Sequence, residues 1–366
     1  MRLLICAGGT GGGVYPALAV VRALGSEAEP VLWVGGEGGM EAELVQREKI
    51  PFRAIPAAGL HGVGLRSVPG NLVRLARGYF SAQKIIREFH PDVMLFTGGY
   101  VGVPVAAAGR KIPSVVFVPD LEPGQALRTI GRFARRIAVS VEDSRQYFPN
   151  RDRVAITGYP TRPDLGKWDR AAARRELQID ADLPLILVTG GSKGAVGLNS
   201  AVYPILTEIL AQARVLHLTG SVDFERASEV RRQLPASLAD RYLVHPYMHE
   251  MGAAFAAADI AVCRAGASTL GELPLFGLPA VLVPYPYAWR YQKANAAYLA
   301  GHGAGLYLEQ AYLPNRLLPT LQGLLTDPRQ LASMRQAMLA LARPLAAGQI
   351  GGLIRDIAAR QPESRE

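Results

Sequence analysis

Leu3-Leu4-Ile5-Cys6-Ala7-Gly8-Gly9-Thr10-Gly11-Gly12-Gly13 is the stretch that decides the fold. Its apolar opening, with no polar alternation, predicts a strand buried on both faces, the habit of parallel sheets packed between helices. The glycines that follow let backbone N–H groups approach a ligand closely, and a helix predicted to open near Pro16 adds partial positive charge at its N-terminus. Strand, glycine turn and helix together make a loop for a polar ligand. Val14 breaks the G-x-G-x-x-G spacing and no Walker Lys-Ser/Thr pair follows, so neither a dinucleotide fingerprint nor a P-loop is indicated.

Outward from this stretch, short apolar runs alternate with helix-like stretches along all 366 residues, the pattern of βα units building parallel sheets. Strands are expected at 3–7, 30–34, 93–96, 114–118, 136–140 and 154–157, with helices from about Pro16, Met40, Asn71, Val103 and Ser144. The scheme restarts at 185–189 and continues at 215–218, 243–244, 260–263, 280–284 and 304–308. The class is α/β, with two doubly wound sheets. Gly158-Tyr159-Pro160-Thr161-Arg162-Pro163 reads as a stiff link between a domain at 1–160 and a second at 164–345. From Asp327 two helices are expected, separated near Pro344 to Gly352, and the last, at about 348–362, is expected to pack back on the first domain.

The second half opens as the first does. Leu185 to Thr189 runs into Gly190-Gly191-Ser192-Lys193-Gly194, and a helix is expected from near Asn199. A hydroxyl and a lysine on such a turn suit a diphosphate. Two more clusters, Thr97-Gly98-Gly99-Tyr100 and Cys263-Arg264-Ala265-Gly266-Ala267-Ser268-Thr269, also end strands. Ligands of open α/β sheets sit at the carboxyl ends of strands, so these loops imply a cleft between domains.

Composition narrows the class further. With 49% hydrophobic and 19% charged residues the chain is not of the disordered type. No apolar run approaches the roughly 18 to 20 residues of a membrane span, and the apolar start runs straight into glycines, so no secretory signal is expected. Cys6 and Cys263, each in an apolar run, support neither a disulfide framework nor a cysteine zinc site, and a reducing cytoplasm is expected. The net charge of +9 is regional: residues 65–136 hold 11 Lys/Arg against Glu88, Asp92, Asp120 and Glu122. Leu72, Val73, Leu75, Tyr79, Phe80, Ile85 and Ile86 lie among those cations and favour an anionic membrane surface over nucleic acid. The alternative is an amphipathic core helix with a solvated basic face.

Eight motifs in order make the chain recognisable. These are Gly8-Gly9-Thr10-Gly11-Gly12, Met40-Glu41-Ala42-Glu43-Leu44-Val45, Gly59-Leu60-His61-Gly62-Val63-Gly64, Gly98-Gly99-Tyr100-Val101, Gly158-x-Pro160-x-Arg162, Gly190-Gly191-Ser192-x-Gly194, Arg264-x-Gly266-Ala267 with Glu272, and Gln292-x-x-Asn295-Ala296. Over about residues 1–345 the sequence resembles the MurG family. Those enzymes move N-acetylglucosamine from UDP-N-acetylglucosamine to the lipid-linked muramyl-pentapeptide of peptidoglycan synthesis. The resemblance implies a GT-B fold of two Rossmann-like doubly wound domains facing an inter-domain cleft. It places the donor in the C-terminal domain and the lipid acceptor and membrane contact in the N-terminal one. It also implies inversion at the anomeric carbon, no obligatory metal or cofactor, and a peripheral place on the inner face of the cell membrane.

Residue by residue, the resemblance assigns Glu272 to the ribose hydroxyls and Ser192 with the neighbouring glycine amides, Gly194 among them, to the diphosphate, where Lys193 adds a cation. Arg162 falls near the nucleotide, Met248 by the uracil, and Arg264, Ala267, Ser268 and Thr269 along the phosphates and sugar. Gln292 meets the sugar hydroxyls, and Thr10 and Gly11 complete the donor set. Gly12, Gly13, Gly99 and Tyr100 fall on the acceptor side. A carboxylate is a natural acceptor for a vicinal diol, and donors at a helix N-terminus stabilise charge on departing UDP. Asp180-Ala181-Asp182 sits in a polar connection before a strand and is not read as a metal site.

The chain also departs from the family. Gly13 stands where the family has a histidine, Phe117-Val118-Pro119-Asp120 replaces His-Glu-Gln-Asn, Tyr291-Gln292 replaces a glutamine pair, and Lys193 replaces a glutamine. An inverting transfer needs a base for the acceptor hydroxyl. Asp120 is the candidate, and His61 the second choice. Three alternatives stay open: a related transferase with a different lipid acceptor or sugar, a non-catalytic UDP-sugar-binding protein, and a UDP-sugar epimerase of the same fold.

Overall fold

The computed structural model describes residues 1–8, 11–39, 41–59, 68–179, 182–191, 194–288 and 290–360. The chain forms two compact units, Met1–Arg162 with Arg343–Glu366, and Pro163–Ala342. The first contains β1 (Leu3–Cys6), β2 (Val31–Gly36), β3 (Phe52–Ile55), β4 (Val93–Phe96), β5 (Ser114–Val118), β6 (Arg136–Val139) and β7 (Val154–Ile156). They pair in parallel in the order β3-β2-β1-β4-β5-β6-β7. The second unit contains β8 (Leu185–Thr189), β9 (Arg214–Leu218), β10 (Tyr242–His245), β11 (Ile260–Cys263), β12 (Ala280–Leu282) and β13 (Gly305–Tyr307), in the order β10-β9-β8-β11-β12-β13. All of these are parallel too.

The strand order of both sheets reverses at the middle, between β1 and β4 and between β8 and β11. Such a reversal point, at the carboxyl ends of the strand pair, is where open α/β sheets bind ligands. Every residue of β1, β4, β5, β8 and β11 is buried, which accounts for the continuous apolar runs in the sequence.

The structure corrects several boundaries. The first helix, Gly11–Leu24, opens five residues before Pro16, so Gly11, Gly12 and Gly13 are helical rather than loop. Helices expected from Asn71, Val103 and Asn199 begin at Val68, Gly102 and Val196, and the one at Ser144 is a 3-10 turn, Glu142–Tyr147. Strand β3 was not anticipated; it is a sheet edge on which Arg53 and Ala54 are exposed and only Ile55 is buried.

The second passage between units falls at Arg343 rather than after residue 345, and the last helix is Ala346–Ala359. That helix packs on the helix Gly11–Leu24 and on β4 and β5, burying Ile350, Leu353, Ile354 and Ile357. Gly158, at φ +86°, is pressed against the Arg343 side chain, so the two passages meet where only a glycine fits. Replacing the fully buried Ile354 by alanine is expected to cost about 2–5 kcal/mol. Chemical unfolding should show that loss in the transition of the first unit, with the second unit's transition unmoved.

Candidate functional site

In the first unit the site grows from contact between the loops after β1 and β4. Gly99 has φ +83°, and a Cβ there would lie 2.8 Å from the Gly8 carbonyl. The Thr97 hydroxyl donates to the Gly13 carbonyl at 2.6 Å, and a Cβ at Gly13 would stand 3.2 Å from the Thr97 carbonyl. The β4 loop therefore closes over the position of the absent histidine. Pro16 has no N–H to give the Gly12 carbonyl, and the Tyr159 hydroxyl donates to it instead, at 3.3 Å. Tyr159 meets the Phe117 ring edge-on, while Arg162 stacks over Tyr15 at 5.8 Å. The link from 158 to 162 is thus fastened to the glycine turn.

Two carboxyl groups here were given no role by the sequence reading, although Glu41 stands in one of its motifs. Glu41 is buried to 1% exposure beside Gly8, and its Oε1 accepts the Gly36 N–H at 2.9 Å. Burial, with Glu41 close by, pushes the Cys6 thiol far up, so it stays protonated and inert. Glu122 is a second buried carboxyl, two residues past Asp120. Asp120 itself is half-buried at the carboxyl end of β5. Its loop is fastened by the Ser140 hydroxyl, which donates to the Pro119 carbonyl at 2.8 Å, and by Ser144, which donates to Leu121 at 2.7 Å. Phe117 and Val118 are fully buried strand residues, and Tyr100 is exposed.

In the second unit the loops after β8 and β11 hold the expected donor residues. Gly191 and Gly194 take φ +85° and +73°, and the Gly194 N–H bonds the Gly191 carbonyl at 2.9 Å. The Thr269 hydroxyl donates to Gly266 at 2.5 Å, and the Glu272 N–H bonds Ser268 at 2.8 Å, shaping the turn of Ala267, Ser268 and Thr269. Burial first and the Glu272 carboxylate second push the Cys263 thiol up to about 12, which places that carboxylate by the end of β11.

Gln292 accepts the Tyr285 N–H on Oε1 at 2.8 Å, which fixes its carboxamide in the first turn of the helix Tyr291–Gly301. Arg264 is tied inside the protein: it donates to the Val283 and Pro284 carbonyls at 3.2 and 3.3 Å and to Gln310 at 2.6 Å, and lies under Tyr285. Its observed partners hold the loop after β12. Met248 is half-buried after β10. Thr10, His61, Ser192 and Lys193 lie outside the described residues.

Sequence reading also missed a buried polar group, Asn199, His217, Asp223 and Tyr242, behind the glycine turn of the second unit. The one sequence signal was a histidine inside the apolar run Val215-Leu216-His217-Leu218.

On the first unit's surface the helix Val68–Phe89 turns Val73, Arg77, Phe80, Lys84 and Arg87 to solvent at helical spacing. Phe80 is 67% exposed, and Phe133, 71% exposed, is flanked by Arg132 and Arg135. Leu75, Ile85, Ile86 and Phe89 are less exposed, with the last three packed against the core, so the helix carries a core face as well as a mixed apolar and cationic outer face. No described helix is long and apolar enough to cross a membrane.

Family comparison adds to this geometry. The glycosyltransferase family 28 N-terminal domain matches residues 3–139 and the family 28 C-terminal domain matches 185–350. A protein of Roseiflexus sp. is 38% identical, covering 99% of this chain and 96% of its own. One of Desulforudis audaxviator is 39% identical, covering 98% and 99%. Both are named UDP-N-acetylglucosamine–N-acetylmuramyl-(pentapeptide) pyrophosphoryl-undecaprenol N-acetylglucosamine transferase. Among solved structures, MurG of Acinetobacter baumannii superposes with TM-score 0.79 at 29% identity over 97% of this chain and 99% of that one.

Burial pushes the His217 imidazole down from 6.5 to about 4. The unfolded chain therefore takes up a proton near its ordinary value while the folded chain stays neutral, so stability is full above about pH 7 and drains as pH falls towards about 4. From this group alone the loss between about pH 7.5 and about pH 5 is roughly 2 kcal/mol. Chemical unfolding at the two pH values should show a smaller loss for His217→Gln than for the wild type.

Proposed function

The chain belongs to the MurG family of glycosyltransferases, and on that premise we propose that it moves N-acetylglucosamine from UDP-N-acetylglucosamine to a lipid-linked muramyl-pentapeptide, a peptidoglycan precursor. The observation that carries this reading is that relatives so named match both halves over almost their whole length, in the same order. The fold is GT-B.

The second unit takes the donor, with Glu272 accepting the ribose hydroxyls, the 190–194 turn around the diphosphate, Ala267 to Thr269 beside the phosphates, and Gln292 on the sugar. The first unit takes the acceptor on the opening of the helix at Gly11 to Gly13 and on Gly99 and Tyr100. The reaction inverts the anomeric carbon. The acceptor hydroxyl attacks it opposite UDP, Asp120 takes the proton, and the carbon–oxygen bond to UDP breaks with its electron pair leaving on the diphosphate. Lys193 and backbone N–H groups meet that charge, so no metal is assigned a role. The rigid fastening of residues 118–121 by Ser140 and Ser144 supports Asp120 as a base held in one place.

The outer face of the helix Val68–Phe89 supports a peripheral site on an anionic membrane, where the lipid acceptor resides. Aromatic and aliphatic groups enter the headgroup boundary while Arg77, Lys84 and Arg87 meet the anionic lipids.

The test is transfer of labelled N-acetylglucosamine, with UDP release and labelled lipid both followed. Labelled lipid is expected; UDP binding without it would favour a different acceptor or a silent binder. Asp120→Asn should lower kcat by at least about 100-fold, and an intact rate would remove Asp120 as base. Chelation of divalent metals should leave the rate unchanged. Phe80→Ser should weaken sedimentation with anionic vesicles by about tenfold, whereas unchanged sedimentation would move the contact elsewhere.

A further inference from the structure

Behind the turn from Gly190 to Gly194 runs a chain of buried polar groups that the transfer mechanism leaves unused. Asn199 stands on the helix Val196–Val202, His217 in β9 and Tyr242 in β10, and Asp223 precedes the helix Phe224–Gln233. The Asn199 amide nitrogen donates to the Thr219 carbonyl and to Asp223 Oδ2, each at 2.9 Å. A carbonyl and a carboxylate accept only, so the nitrogen must face them and Oδ1 must face His217 Nε2, 3.0 Å away. His217 then carries its proton on Nε2, and Nδ1 accepts from the Tyr242 hydroxyl at 2.8 Å. Tyr203 completes the set by donating to Asp223 Oδ2 at 2.8 Å. Each polar atom of Asn199 and His217 is engaged, and a buried network so satisfied has one arrangement.

Thr219 is where this network meets the turn. A side chain on Gly194 would collide with the Thr219 carbonyl and the Gly220 backbone, so the turn lies directly on the group that Asn199 holds. A side chain on Gly190 would collide with Ala195, so the turn also folds tightly on itself. Removing the His217 imidazole leaves Asn199 Oδ1 without its donor, and removing the Tyr242 hydroxyl leaves His217 Nδ1 without its own; either loss lets the buried side chains shift, and a shifted Asn199 releases Thr219.

We infer that Tyr242, His217 and Asn199 are positioning residues that, through Thr219, hold Gly194 in place at the end of the glycine segment that receives a nucleoside diphosphate. This inference rests on the donor-site reading above. A network that merely filled the space behind β8 would affect stability and leave the affinity of folded molecules alone.

UDP titration calorimetry on the full chain separates these roles, because it needs no acceptor. At a temperature where each variant is folded by its thermal melt, Tyr242→Phe and His217→Leu are expected to bind UDP at least about tenfold more weakly than wild type. His217→Gln offers a donor and an acceptor on one side chain and should recover most of what His217→Leu loses. In turnover the loss should fall on KM for the UDP-sugar more than on kcat. Asn199→Ser, too short to hold Thr219, should weaken UDP likewise, and serves if Tyr242→Phe does not fold. Folded Tyr242→Phe or Asn199→Ser with wild-type UDP affinity would overturn the inference while leaving the donor site standing. Absence of UDP binding by the wild type would remove the donor-site reading and the inference together.

Discussion

Close approach of backbone to backbone at the carboxyl edge of each sheet is the constraint on which the molecule depends. Gly99 lies on the Gly8 carbonyl in the first unit, and Gly194 lies on the Thr219 carbonyl in the second. Neither contact tolerates a Cβ, and both glycines sit at positive φ. In the first unit the two loops, after β1 and β4, meet at the point where the strand order reverses; in the second the loop after β8 meets the loop after its neighbour β9. Glycine turns at the carboxyl ends of parallel strands are places where backbone can approach phosphates and sugar hydroxyls.

Each unit supports its turn differently. In the first, Thr97 and Tyr159 hold the carbonyls of Gly13 and Gly12, and Glu41 holds the neighbouring Gly36 N–H. The histidine of the family is absent, and the backbone of the β4 loop occupies the neighbourhood of its Cβ. In the second unit the support is a buried network in which Asn199 sets Thr219. The proposed chemistry follows this division, with Asp120 on a fastened loop of the first unit and, on the second, the glycine turn and Glu272 assigned to the nucleotide.

The fold was legible in the sequence because β1, β4, β5, β8 and β11 are buried on both faces and leave unbroken apolar runs. β3 escaped because Arg53 and Ala54 face solvent on a sheet edge, so the run is short and mixed. The helix start at Gly11 escaped because glycine has poor helical propensity, and Pro16 looked like the natural first turn. Of the candidate site, the glycine turns that follow buried strands were legible from spacing, while the part given to Glu272 rests on the resemblance. The Arg264 clamp and the Asn199–His217–Tyr242 chain were not, because their partners lie 18 to 46 residues away and meet only after the sheet has formed.

The central claim is that two units with the same glycine-turn topology have divided the labour, with the nucleotide on the second. A crystal structure of the chain with UDP tests this directly. The account predicts the diphosphate on the backbone N–H groups of residues 190–194 and the ribose hydroxyls on the Glu272 carboxylate. UDP seated on the Gly8 to Gly13 turn, or a ribose remote from Glu272, would contradict it.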